Sequence, residues 1–423
     1  MTSKYAFKYS LYDKKFIRDC FDITSIDFND SMFLTSSDLL LKSFLFLPLG
    51  DFSTLPRVSL FWNKIVLGSN SLWREIFRQT WLRLGSDFYP ISSQVKHLWR
   101  ESTKIQLRLE KNWKKGYYSK KNLRSSNNML SIDIRPDGDI VSLVSGGYDG
   151  LFVWDIDRLE MKRRMGMGEV RQIVQLGNEI VLASEGRKKI NVWNVENCTV
   201  LRSIKTSSLW FDTTCLANNY ETIVVGGSEK KTTAWDIETG QIVRTFTKSD
   251  KIKELYSMQC SNDVLIRASE HGLHGWDYRS GYNSFNLDLG YDYMIQTVRL
   301  DKTSGFANDW LCMTSGNTIR LYDLRKSGAS FLYESSGGTH VPSACAINQR
   351  WIVGGWLRVG EIQIWDRKKL NGLEMGSPIS KIYYDPITLK IDADHLYIAA
   401  YDGISILDFS VSGVKNFGKC TVM

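Results

Sequence analysis

The side chains of this 423-residue chain best able to do chemistry are scattered, and their spacing argues against catalysis. Histidines stand at 97, 271, 274, 340 and 395, none at metal-ligand spacing. His271 and His274 are expected in one turn, in a structural role rather than a zinc site. Seven cysteines (Cys20, Cys198, Cys215, Cys260, Cys312, Cys345 and Cys420) form no Cys-x-x-Cys pair. Their odd number points to reduced, intracellular thiols. The segment GVKNFGKC (413–420) nearly spells a phosphate-binding loop. It places Cys420 where Ser or Thr must ligate magnesium, and no helix can follow before Met423. No Gly-x-Ser-x-Gly occurs. The expectation is a non-enzyme with no cofactor and no metal site. The last four residues, CTVM, fit a C-a-a-X prenylation signal on Cys420, with Met favouring a farnesyl group. One such group anchors weakly, and Lys415 and Lys419 add only a thin basic patch.

The elements that position these residues are read from composition and period. The chain is 43% apolar and 24% charged, with only 7 Pro, a globular composition. Its 14 Trp favour β-rich packing. The net charge of +8 sits in one stretch, 93–124, with ten Lys/Arg against two acids. That stretch carries no nucleic-acid motif, so a solvated helix and strand edge is expected and no nucleic-acid partner.

From residue 129 onward two apolar runs, a turn and a hydrophobic-x-Trp-Asp ending recur. The endings are LFVWD (Trp154), INVWN (Trp193), TTAWD (Trp235), LHGWD (Trp276), IRLYD (Tyr322), IQIWD (Trp365) and ISILD (Leu407). The steps between them are 39, 42, 41, 46, 43 and 42 residues. A period of about 40–45 with four strands per unit marks a radial stack of sheets, because one such sheet cannot bury both faces alone. Asp-Gly in GYDG (147–150) and YDG (401–403) suits tight turns between middle strands. Residues 117–124 are expected to supply the outer strand of the last unit and hide its edge.

These repeats resemble WD repeats, and the resemblance implies a seven-bladed WD-repeat β-propeller over 117–410. The family's Gly-His start is approached only by GTH (His340), and Glu229 and Glu270 fall near the expected turn Asp. Apolar packing is therefore expected to outweigh buried polar networks.

Upstream, the run 38–47 is apolar almost all round, at 39, 40, 41, 44, 45, 46 and 47. A small helical unit cannot bury all of these, so part is expected to face another polypeptide. LLLKSFLFLPLGDF, VSLFWNKI (58–65) and NSLWREIF (70–77) together resemble an F-box over 33–80. Thr35-Ser36 stands where that family usually has Leu-Pro. The resemblance implies a Skp-type adaptor gripped by Leu40, Leu41, Phe44, Leu45, Leu47, Pro48, Leu49, Val58, Trp62, Leu72 and Trp73. Through the adaptor it implies a cullin/RING ligase core. Residues 1–32 match nothing. Residues 81–116 read as a helical linker, with Leu98, Trp99, Ile105, Leu109 and Trp113 on one apolar stripe. The tail 411–423 carries the C-a-a-X end.

The combined resemblance is to F-box/WD-repeat proteins, substrate receptors of Skp–cullin–F-box ubiquitin ligases. It implies a non-catalytic receptor whose propeller binds a target protein, and an arginine clamp for a phosphorylated target at Arg171, Arg358 and Arg187. Arg171 sits in a Val-Arg pair on an innermost strand, and Arg358 precedes a middle turn. The alternative is a non-ligase scaffold, membrane-associated through a prenylated Cys420. Cytoplasmic or nuclear localisation is expected, with peripheral membrane attachment only if prenylated.

Overall fold

The computed structural model describes residues 99–124 and most of 128–411, apart from short loops and some side chains, together with Leu45, Val66 and 69–80 in the N-terminal part. Two units are distinguished, residues 1–78 and 79–423. The described residues are mostly β, with two α-helices, α1 (Asn70–Thr80) and α2 (Trp99–Lys115). Neither is long and apolar enough to cross a membrane.

In the N-terminal unit Ser69 caps α1: its Oγ accepts the Leu72 N–H at 3.3 Å. One face of α1 buries Leu72, Trp73, Ile76 and Phe77, and the Trp73 indole N–H donates to the Val66 carbonyl.

Among the described residues of the second unit there are seven four-stranded antiparallel sheets, in a β-propeller arrangement. Sheets 1 to 6 span 129–165, 170–205, 215–247, 255–288, 298–334 and 344–383. Sheet 7 takes three strands from 388–408 and its outer strand, Ser119–Arg124, from before sheet 1. Register runs from Ser119 opposite Asp408 to Arg124 opposite Gly403. The innermost strand of each sheet packs on that of the next, and Met129–Asp137 of sheet 1 meets Thr388–Ile391 of sheet 7. Each gap between neighbouring sheets holds its own apolar cluster, and the cluster closing the ring joins Leu123, Ile404 and Tyr397 to Met129, Ile132 and Trp154. The ring thus covers every sheet face by repetition.

The repeat endings occupy one structural place. Trp154, Trp193, Trp235, Trp276, Tyr322, Trp365 and Leu407 are each next to last on the third strand of their sheet. They face Leu143, Val181, Val224, Leu265, Leu311, Ile352 and Leu396. The acid that follows has its own task. The carboxyl or amide oxygens of Asp155, Asn194, Asp236 and Asp277 accept the N–H three residues on, at 2.6–2.9 Å, and so close the turn to the outer strand. These turns need a left-handed residue four places after the acid. Gly240 and Gly281 serve at φ 70° and 76°, but Leu159 and Cys198 are forced to 58° and 55°.

Sheets 1 to 3 also share a latch that the sequence reading did not name. The Arg163 guanidinium donates to the Val195 carbonyl at 2.9 Å and Arg202 to the Thr239 carbonyl at 2.8 Å. Arg244 lies against Gly281, where an added Cβ would meet its Nη1 at 2.4 Å. Each arginine is nine residues after its Trp and ties its outer strand to the next sheet's turn.

Helix α2 ends in a Schellman cap: Gly116 adopts φ 64°, and Tyr117 N–H reaches the Asn112 carbonyl at 2.9 Å. Its C-terminal half docks on sheets 6 and 7. Trp113 stacks on Phe409 (centroids 3.7 Å apart) and on Trp351 (5.6 Å). The Asn112 side-chain amide donates to the Phe409 and Val411 carbonyls at 2.7 and 3.1 Å. Arg350 bridges Asp366 (2.9 Å) and Glu110 (3.3 Å). Two expectations are corrected here. Ile105 is 45% exposed rather than part of the buried stripe, because the contacts to the sheets come from Leu109, Asn112 and Trp113. His274 lies on the third strand of sheet 4 rather than in a turn, buried, with its Nδ1 2.8 Å from Asn286 Oδ1, because that strand already begins at Gly272.

Candidate functional site

Antiparallel order gives each sheet two ends. Helix α2 and Phe409 lie at the end where the third strands finish. The opposite end carries the turns between second and third strands, Tyr148–Asp149, Leu357–Gly360 and Tyr401–Asp402 among them, and the starts of the inner strands. Tyr148 and Tyr401 are 51% and 53% exposed there, and Val359 joins them. The turns form as their residues dictate: Gly150 and Gly403 sit at φ 133° and 136°, and a Cβ on Gly150 would strike the Met165 and Gly166 carbonyls.

Arg171 is the second residue of the inner strand of sheet 2, at this end. Its Nε donates to Glu169 Oε1 at 2.8 Å, so its charge is already matched. Arg358 is exposed in the middle turn of sheet 6. The two share a face but belong to sheets three apart around the ring, so they are not brought together. Arg187, Glu229, Glu270 and His271 lie outside the described residues, as do Leu40, Leu41, Phe44, Leu47, Pro48, Leu49, Val58, Trp62 and Cys420. Leu45 is half-buried in a turn. Leu72 and Trp73 are packed inside the N-terminal unit.

A layer across the centre of the ring was missed. The residues paired one position beyond each repeat-ending partner are Asp133, Val174, Ala217, Gln259, Arg299, Ala346 and Lys390. Asp133, Val174, Gln259, Arg299 and Lys390 are half-buried. Sheets flank their strands on both sides, so that exposure opens onto the central channel. Lys390 Nζ meets Asp133 Oδ1 at 2.6 Å, and Asp133 Oδ2 accepts the Gln175 N–H at 2.8 Å. This joins sheets 7, 1 and 2. Arg299 occupies a Val-Arg pair, VRL, on the inner strand of sheet 5, the same signal that singled out Arg171.

Asp392, Asp394 and His395 are the one group among the described residues placed to share a metal ion. Their geometry is that of an ion cluster. Asp392 accepts the N–H groups of Asp394 and His395 and the Tyr397 hydroxyl, at 2.6–3.0 Å. His395 Nδ1 lies 2.9 Å from Asp394 and 3.5 Å from Asp392. Burial disfavours the imidazolium, but the carboxylates of Asp392 and Asp394 outweigh it and push His395 up to about 10. Burial likewise works against ionised Asp392, which His395 nonetheless holds below its usual value. The Tyr397 hydroxyl is raised by burial and by Asp392. With its lone pairs committed, Asp392 serves the inner strand turn of sheet 7.

No family model and no curated protein matches the chain.

Proposed function

We propose that the chain is the substrate-recognition subunit of a Skp–cullin–F-box ubiquitin ligase, of the F-box/WD-repeat type. Residues 33–80 take the F-box part and grip a Skp-type adaptor through the apolar run around Leu45, Leu47 and Pro48. The seven sheets act as a seven-bladed WD-type propeller that holds a target protein, and the chain itself does no covalent chemistry. The observation carrying this reading is the placement of α2. It is clamped at one end of the ring by Trp113, Asn112 and Arg350, while Tyr148, Tyr401 and Arg358 are exposed on the turns at the other end. An entry arm fixed on one face and a free loop face opposite suit a receptor that must hold its target at a set distance from the transferring enzyme.

Purification of the tagged full chain tests this. Adaptor and cullin should copurify, and Leu47→Asp with Pro48→Ala should abolish both. Adaptor without cullin would instead indicate a non-ligase scaffold, and nuclease-sensitive association without adaptor would indicate nucleic-acid binding. Either result overturns the ligase reading.

A further inference from the structure

The outward face of α2 carries its charges in a line. Arg100, Lys104, Arg108, Lys111 and Lys115 follow one another at steps of four, four, three and four residues. At 3.6 residues per turn these steps keep all five within about 80° around the axis, in a ridge about 22 Å long. The buried Ser102, Leu109 and Trp113 lie on the other side, Leu109 and Trp113 in the cluster shared with sheets 6 and 7. Lys104, Arg108, Lys111 and Lys115 are exposed, and Arg100 is half-buried. Among the described residues one carboxylate serves the ridge. Glu101 accepts from Lys104 at 2.6 Å, and that hydrogen bond, with the charges of Lys104, Arg100 and Arg108, holds its carboxyl below the usual value. Glu110, the other acid of the helix, is turned to Arg350 and Lys114.

Apolar side chains stand among these cations. Leu107 is three residues after Lys104 and four before Lys111, so it lies on the same face, 41% exposed. Tyr117 follows the end of the helix, 44% exposed, with Lys115 Nζ 5.7 Å from its ring centre. Basic side chains with an aliphatic and an aromatic neighbour suit the boundary between water and lipid, where cations meet headgroups and apolar groups reach below them. The shape favours lipid over other polyanions. A convex helical ridge offers no hollow to a protein side chain, and lysine is depleted from protein interfaces. A duplex groove would have to surround the helix, whose other side is taken by the ring. A bilayer is flat and requires only that the cations stand in a row on an outward face.

We propose that the outward face of α2 is a docking surface for the anionic headgroups of a lipid bilayer. Each cation brought against such a surface adds to the attraction, and Leu107 and Tyr117 add apolar contact. The contact needs neither a modified Cys420 nor an adaptor. It gives the end of the ring that carries α2 a lipid partner, beyond the protein partners of the proposed function.

Flotation with vesicles tests this, using the purified full chain made in bacteria so that Cys420 stays unmodified. The vesicles are phosphatidylcholine alone, or three parts phosphatidylcholine to one part phosphatidylserine. Wild type should float with the anionic vesicles and not with the neutral ones. Salt at about 1 M, which cuts the screening length to about 3 Å, should release it. Arg108→Gln combined with Lys111→Gln should weaken partition about 25-fold, about fivefold for each cation. Lys189→Gln combined with Lys205→Gln removes the same net charge from an exposed pair on sheet 2, at the opposite end of the ring, and should bind like wild type. No binding to either vesicle, equal binding to both, or equal binding by wild type and the variant at 108 and 111 overturns the proposal. Capture of wild type by immobilised polyglutamate but not by vesicles also overturns it, since the ridge would then serve an acidic polypeptide. Circular dichroism confirms that the variants fold; the lipid and salt arms use wild type alone and decide the matter if one does not. The readout needs no adaptor or cullin, so its failure is distinct from failure of the ligase reading.

Discussion

Single residues carry strain and charge that can be measured. Leu159 occupies the left-handed turn position that Gly240 and Gly281 fill in later sheets. A side chain there costs about 1–2 kcal/mol, more than the entropy that glycine loses on folding. Leu159→Gly should therefore raise stability by about 1 kcal/mol, seen as a higher thermal midpoint; an unchanged or lower midpoint would contradict the strain. His395 makes a second case. Its folded value of about 10 lies above its ordinary 6.5, so its ion cluster stabilises the fold fully below about pH 6.5. That contribution fades as pH rises towards 10. Wild type should lose stability across this window relative to His395→Gln, and parallel pH profiles of the two melting points would refute it. Asp392 runs the other way: its depressed value gives stability that is lost as pH falls below about 4.

At the scale of elements, the helix α2 is joined to the ring by three kinds of contact, and each lies in its last turns. Trp113 is fully buried between Phe409 and Trp351. Trp113→Ala should cost about 3–5 kcal/mol by cavity formation and release the helix to protease before the sheets unfold. Ile105→Ala, on the exposed stretch of the same helix, should change the midpoint little. If both variants melted alike, the helix would not be anchored where Trp113 places it. The basic stretch 93–124 belongs to this element and to the closing strand, where Lys120, Lys121 and Arg124 line the outer edge of sheet 7.

For the whole molecule the decisive feature is closure. The outer strand Ser119–Arg124 completes sheet 7 although it is separated by almost the whole propeller in sequence. Leu123 on it is buried in the cluster that joins sheets 7 and 1. Leu123→Asp would place an unpaired charge there and should prevent soluble expression or lower the melt by several kcal/mol. Arg124→Gln, exposed on the same strand, should stay within about 0.5 kcal/mol. Equal effects would mean that this strand does not close the ring.

The amino-acid order by itself determined the repeat, because each unit must present the same large side chain to the next sheet. The 39–46-residue steps from Trp154 to Leu407 therefore located a single place in every sheet, including Tyr322 and Leu407, where the Trp is replaced. Asp-Gly marked turns for a similarly local reason, since only a few residues tolerate the backbone they need. What the order did not reveal were pairings between residues far apart in the chain. Asp366 repeats the motif yet holds Arg350 beside α2, and Ile105 fits a helical stripe yet meets no sheet. Arg171 and Arg299 carry the same Val-Arg signal, but Arg171 has Glu169 two residues before it, whereas the hydroxyl that Arg299 reaches, Thr388, is brought to it from sheet 7 by the ring. Charge matching depends on distance in space, and in a closed propeller that distance is set by sheets whose members lie hundreds of residues apart.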